Sequence, residues 1–394
     1  MPTILPSDLL RPILAHVTSS RDLCSLAVAC RTLREEAQRA LFETAVVEVV
    51  PWEPRHQIHV PVLDVILAPP DRLALMVRKF TIRIRVLRRF SESRERGSEA
   101  ARFRITDTET LVDWLEQIGS KIQTALQIMC RLTHLRLIYN PYGAVGDYRA
   151  PWFTSLLEAC SFELQVLAWE ISPISGNFHE LLQRGLATQT GITVLRLDCH
   201  LPDIKYTHLS TFFPALRTIS APWNIIRVIL ECGRVIPNVE ICSLSGAQQP
   251  LTTALRNALR GVTKLWCDTV FQRLDFKIAD LSSVVLLQVA NICEEDYPAI
   301  AALPKLKWLI LLVERGIGID NDTCAQTARR LLFHSASLSE VYIGDSRIND
   351  QHCECHTFSS EEGKVHTRRA RRVQDIWRLQ AGLEFVDSFF SGPY

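Results

Sequence analysis

Apolar positions along this chain follow two periods, one of strand type and one of helical type. The strand-type pattern is a triplet in which apolar residues stand at the first, fourth and sixth positions. It reads Val77-x-x-Phe80-x-Ile82, Leu132-x-x-Leu135-x-Leu137, Leu164-x-x-Leu167-x-Trp169 and Ile192-x-x-Leu195-x-Leu197 in the first half. It continues as Leu216-x-x-Ile219-x-Ala221, Val239-x-x-Cys242-x-Leu244, Val262-x-x-Leu265-x-Cys267, Val284-x-x-Leu287-x-Val289, Leu306-x-x-Leu309-x-Leu311 and Leu338-x-x-Val341-x-Ile343. With the middle residue as marker, Leu195, Ile219, Cys242, Leu265, Leu287 and Leu309 are separated by 24, 23, 23, 22 and 22 residues. A single triplet is a weak signal, but a near-constant period over six copies predicts stacked units, each a short strand followed by a helix or irregular arm. The alternative is an ordinary α/β domain with a parallel sheet.

Helical spacing fills the intervals. Leu111, Trp114, Leu115 and Ile118 form one stripe, and Asn177-x-x-Glu180 has capping-box spacing ahead of Leu181, Leu182 and Leu186. Asn224 precedes Ile225, Ile226, Val228 and Ile229, and Cys324, Ala328, Leu331 and Leu332 make a further stripe. Residues 91–104 and 345–372 interrupt the pattern: the first is a charge-rich insertion, the second a polar loop. After them, Ile376, Leu379, Leu383, Val386 and Phe390 predict a closing helix within 373–394.

The N-terminal segment 5–43 reads as three short amphipathic helices. Leu9, Leu10, Ile13, Leu14 and Val17 form the first stripe, behind Pro6 at a position where proline is tolerated. Leu23, Leu26, Ala27 and Cys30 form the second, and Leu33, Ala37, Ala40, Leu41 and Phe42 the third. So small a unit carries more apolar surface than it can bury, which predicts a partner. The alternative is an N-terminal helical cap on a larger domain.

Leu5-Pro6, Leu9-Leu10, Ile13-Leu14 and Leu23-x-x-Leu26-x-x-x-Cys30-Arg31 resemble the F-box, in the manner of fungal F-box-like proteins. The later triplets resemble degenerate leucine-rich repeats without the asparagine that usually follows the last strand leucine. The resemblance implies an α/β chain: a three-helix F-box over 1–45, a leucine-rich-repeat solenoid over 46–375, and a capping helix and tail over 373–394. It implies a substrate receptor of an SCF-type cullin ubiquitin ligase, with a Skp-type adaptor and cullin as partners and one copy of this chain per complex. It nominates Leu5, Pro6, Leu9, Leu10, Ile13, Leu23, Leu26 and Cys30 for the adaptor face. For Leu14, Leu26 and Cys30 the alternative is that they hold the three helices together. An interaction scaffold with a drifted F-box, acting outside a ligase, is the alternative function.

Side chains alternate along a strand, so residues flanking the triplet positions belong to the opposite face. That row contains His134, Arg136, Glu170, Arg196, Asp198, Lys264, Trp266, Asp268, Gln288, Trp308 and Tyr342, expected as an exposed target-binding surface rich in hot-spot residue types. A one-residue register error would exchange the two faces.

Composition narrows the function classes. A net charge of +1 offers no bulk attraction for nucleic acid or an anionic membrane, so any partner signal is local. Twelve cysteines without framework spacing suit a reducing compartment, the cytosol or nucleus. The chain shows no Walker loop, dinucleotide-binding glycine pattern, nucleophile elbow or H-E-x-x-H pair, so neither catalysis nor a cofactor is expected. His352, Cys353, Cys355 and His356 are metal-ligand types, but their spacing is not one at which zinc ligands converge, and no metal is expected. The basic run Arg368–Arg372 is either a solvated face or a nucleic-acid or nuclear-import signal.

Overall fold

The structure is a computed structural model that describes residues 7–14, 16–17, 19–49, 60–68, 72–86, 108–141, 155–158, 160–171, 186–198, 213–243, 250–267, 276–290, 294–313, 321–345, 354–361 and 364–372. The chain divides into two compact units, the first built on Met1–Ile192 and the second on Thr193–Asp198 with Lys205–Ser388.

In the first unit three helices, α1 (Ser7–Leu14), α2 (Ser20–Ala29) and α3 (Arg31–Glu43), lead directly into strand β1 (Thr44–Val49). Then come α4 (Pro61–Leu67), β2 (Lys79–Val86), α5 (Thr108–Ile128), β3 (His134–Pro141) and β4 (Val166–Ile171). The four strands pair in parallel in chain order. Ala45, Phe80, Leu135 and Leu167 stand in one lateral row, and Val47, Ile82, Leu137 and Trp169 in the next, all buried. β1 repeats the apolar alternation as Ala45-x-Val47-x-Val49 but has no leucine, which is why leucine spacing passed over it.

The stripe expected around Leu111 becomes α5, whose Trp114, Leu115, Ile118, Ile122 and Leu126 are buried. Lys121 on α5 bonds Asp64 on α4 at 3.0 Å. Truncating any fully buried leucine of these rows to alanine costs about 2–5 kcal/mol, because the packing around it closes only in part.

The second unit contains seven parallel strands: β5 (Val194–Asp198), β6 (Thr218–Pro222), β7 (Asn238–Ser243), β8 (Lys264–Cys267), β9 (Leu286–Ala290), β10 (Trp308–Val313) and β11 (Glu340–Asp345). Each pairs with the next in chain order, so no strand crosses another. Their shared buried row is Leu195, Ile219, Val239, Leu265, Leu287, Leu309 and Val341. One expectation is corrected here: the marker of the β7 repeat is Val239, not Cys242, so the triplet is Ile236-x-x-Val239-x-Ile241. Two apolar triplets overlap in this stretch three residues apart, and leucine spacing could not choose between them; the lateral hydrogen bonds do. The true intervals from Leu195 to Leu309 are 24, 20, 26, 22 and 22 residues.

Connections between these strands carry α6 (Trp223–Glu231), α7 (Thr253–Leu259), α8 (Tyr297–Ala301) and α9 (Asn321–His334). Trp223, Ile225, Ile226, Ile229 and Leu230 of α6 are buried, as its apolar run predicts. Beyond its C-terminus Gly233 takes φ +78, a left-handed conformation that glycine enters at no steric cost. Asp280, 2% exposed, accepts from Lys277 N at 3.0 Å and pairs with Arg256 of α7, so a buried carboxylate ties two successive connections together.

The polar stretch 345–372, expected as a loop, instead holds β12 (Glu354–Glu361) and β13 (Lys364–Arg372). β12 runs antiparallel to β11, and β13 antiparallel to β12. Ladder bonds satisfy the backbone of so polar a segment, and Phe358, 1% exposed, continues the row of Val341. Residues 91–104, the capping-box segment at Asn177 and the closing helix expected within 373–394 lie outside the described residues.

Candidate functional site

Two surfaces carry the residues that sequence reasoning nominated. The first is the N-terminal helical module. Ser19 caps α2, its Oγ accepting from Asp22 N at 3.3 Å, and Cys30 caps α3, its Sγ accepting from Leu33 N at 3.4 Å. Leu14, Leu23 and Ala37 form the core of the module, with Val17, Leu26, Ala27, Ala40 and Leu41 packed against it.

This geometry sorts the nominated adaptor face. Leu9 and Ile13, at helical i, i+4 spacing on α1, are both 54% exposed. Leu10 and Leu23 are buried at 8% and 6%, and Leu26 lies against the core; Leu23 and Leu26 hold the helices together. Cys30 is exposed and serves as a cap. Leu5 and Pro6 lie outside the described residues. Sequence reasoning missed Val28 on α2, 77% exposed; its one signal was an apolar residue off the helix's inward stripe.

The second surface is the strand face opposite the leucine rows. His134 and Trp308 lie one rung from Arg136 and Ile310 on that face, and Trp266, Gln288, Ile310 and Tyr342 occupy one lateral row of it. The expectation of an open row is corrected. Arg136, Trp266, Gln288 and Tyr342 are buried; His134, Glu170, Arg196, Lys264 and Trp308 are half-buried; Asp198 is exposed, and Asp268 lies outside the described residues.

The physical reason differs between the two units. In the second, Trp266, Leu286, Ala290, Ile310, Leu312 and Tyr342 form an apolar cluster with Trp308 at its margin. β10 is apolar at every position and β9 at all but Gln288, the mark of strands buried on both faces, and the run Trp308–Val313 displays it in the sequence. In the first unit the face is ionic. Arg136 reaches Glu170 at 2.9 Å with both side chains mostly covered. Burial, aided by the neighbouring Lys79 charge, pushes the His134 imidazole down to about 4, so it is neutral near pH 7. Its Nδ1 lies 2.8 Å from Thr133 Oγ1.

Cys355 and His356, the described members of the proposed metal-ligand types, are consecutive on β12. His356 is in register with Ile343 and Cys355 with Gly344 of β11. Among the described residues, no group of three or more histidine, cysteine or acidic side chains is placed to hold a metal ion. Arg368, Arg371 and Arg372 of the basic run lie on β13 opposite Thr357, Cys355 and Glu354. Among the described residues, no helix is long and apolar enough to cross a membrane.

No family model matches the chain, and no curated protein matches it. Among solved structures it is similar to an internalin, inlF, from Listeria monocytogenes str. 4b F2365. That match has 12% identity and a TM-score of 0.29, and covers 79% of this chain and 93% of the other. The fold assignment rests on the strand register of this chain itself.

Proposed function

We propose that this chain is a protein-interaction repeat scaffold that acts as a substrate receptor of an SCF-type cullin ubiquitin ligase in the cytosol or nucleus. The N-terminal helices dock on a Skp-type adaptor, and the repeats hold a target protein. The observation that carries the docking half is the division of the α1 apolar residues: Leu10 is buried and Leu14 belongs to the module's core, while Leu9 and Ile13 stand 54% exposed four residues apart. An exposed aliphatic pair on a short helix is the kind of anchor that a helical groove takes up. The chain's contribution to ubiquitin transfer is proximity: it raises the local concentration of a target lysine without supplying a nucleophile.

A second reading has its own observation. α3 ends at Glu43 and β1 begins at Thr44, so the helical module runs without a linker into the edge strand of the first sheet. That continuity suits a helical cap on an interaction scaffold that works outside a ligase.

Affinity purification of the tagged chain, beside a Leu9→Asp/Ile13→Asp variant, separates the two. Adaptor and cullin retained by the parent chain and lost from the variant support the receptor. Their absence from both samples sinks it and leaves the scaffold.

A further inference from the structure

The first unit contains a cleft of about 560 Å³ where the N-terminal helices meet the first repeats. Five arginines line it: Arg11 of α1, Arg39 of α3, Arg72 and Arg78 between α4 and β2, and Arg131 between α5 and β3. Against them stand two carboxylates, Glu36 and Glu43, in a chain whose total net charge is only +1.

The pairing inside the cleft is uneven. Glu36 takes up two of the charges, lying 3.4 Å from Arg11 Nε and 2.8 Å from Arg39 Nη1. Arg72 turns to Glu35, outside the cleft lining, at 3.4 Å with both side chains about half exposed. Among the described residues, Arg78 and Arg131 reach no carboxylate, and Glu43 reaches no base. Guanidinium groups lining one cleft raise its positive potential, and their planar forks fit phosphate oxygens two at a time. The volume falls in the range of small-ligand sites. Its wall is apolar as well as charged: Leu75, 43% exposed, and Met76 line the same space.

We propose that this cleft binds a phosphate monoester carrying an apolar group, the phosphate held by arginine forks and the apolar body laid on Leu75 and Met76. The site does not rest on the adaptor reading, because Leu9 and Ile13 are not part of its lining. None of its lining residues lies on a strand of the first unit.

Isothermal titration calorimetry of the full-length chain with phenyl phosphate tests the proposal, with inorganic phosphate and a capped leucyl-phosphoseryl-leucine peptide as parallel probes. Phenyl phosphate binds more tightly than inorganic phosphate. Arg78→Gln and Arg131→Gln each weaken it by about tenfold, the scale of one lost charge-assisted hydrogen bond. Neither change touches the backbone role of Arg78, whose N–H donates to Glu43 O and whose carbonyl accepts from Thr133 and His134. Glu43→Gln removes a repelling charge and tightens binding several-fold, a gain that misfolding cannot imitate. The peptide arm identifies the source of the ester: tighter binding than phenyl phosphate means a phosphorylated side chain, weaker binding a small metabolite. Absence of heat with every probe overturns the proposal, as does affinity unchanged in both arginine variants or a Glu43→Gln variant no tighter than the parent.

Discussion

Thr263 bonds twice to a single carbonyl of the preceding repeat: its backbone N–H lies 2.8 Å from Pro237 O, and its hydroxyl 3.0 Å from the same atom. Lys264 N adds a third donor at 3.0 Å. The arrangement recurs one residue ahead of other strands. Ser339 reaches Lys307 O through N–H and hydroxyl at 2.9 and 2.8 Å, and Thr133 reaches Arg78 O at 2.9 and 3.2 Å. At these three strands a hydroxyl directly before the strand adds a side-chain bond to the lateral backbone ladder; Arg217, Pro237, Val285 and Lys307 hold the same place before other strands. Thr263→Val keeps the shape and removes one of these bonds, for an expected loss of about 1 kcal/mol in urea denaturation.

Gln189 makes a larger version of the same connection. Its Oε1 accepts from Leu164 N at 2.8 Å and its Nε2 donates to Phe162 O at 3.1 Å, with the side chain buried. Gln189→Leu leaves a buried backbone donor and acceptor without partners, and destabilises by about 2–4 kcal/mol. A loss under 1 kcal/mol by the same measurement would mean that water replaces the amide.

Leu9 and Leu23 belong to one sequence motif and separate on folding. Leu23→Ala opens the core of the helical module and costs about 2–4 kcal/mol. Leu9→Asp changes an exposed position and stays within about 0.5 kcal/mol in thermal denaturation. Equal losses in the two variants would place Leu9 in the fold and remove it from the docking face.

Trp266→Ala tests whether the strand face of the second unit is core or open surface. Burial in the cluster with Ile310 and Tyr342 predicts a loss of about 3–5 kcal/mol, whereas an exposed binding residue would lose little.

His134 gives stability a pH dependence. Its folded value, near 4, lies below the ordinary imidazole value, so the unfolded chain takes up a proton first as pH falls. The stabilisation from its neutral form is complete above about pH 6.5 and declines between there and about pH 4. His134→Gln should flatten the stability profile in that window when unfolding is followed at stepped pH; an unchanged slope assigns the dependence to other groups.

Leucine spacing predicted the parallel strands at Phe80, Leu135, Leu167, Leu195, Ile219 and Leu265 to Val341, because a buried strand face demands apolar residues at alternate positions. The helical stripes of α5, α6 and α9 and the three N-terminal helices were legible for the same reason. β1 was missed because alanine and valine replaced leucine, and β7 was displaced by three residues where two triplets overlapped. The pair β12 and β13 was hidden because its residues are mostly polar and lack the apolar alternation that marks a half-buried strand.

What the chain determined by itself, then, is local: which positions are apolar, at what period, and so which elements form. Three things belonged to the tertiary structure. It turned Leu10 and Leu23 inward while leaving Leu9 and Ile13 in solvent, buried the expected binding row around Trp266 and Tyr342, and gathered five scattered arginines into one cleft. Periodicity reports that a face is apolar, but not whether another face covers it. Charges distant in sequence meet only where packed elements bring them together.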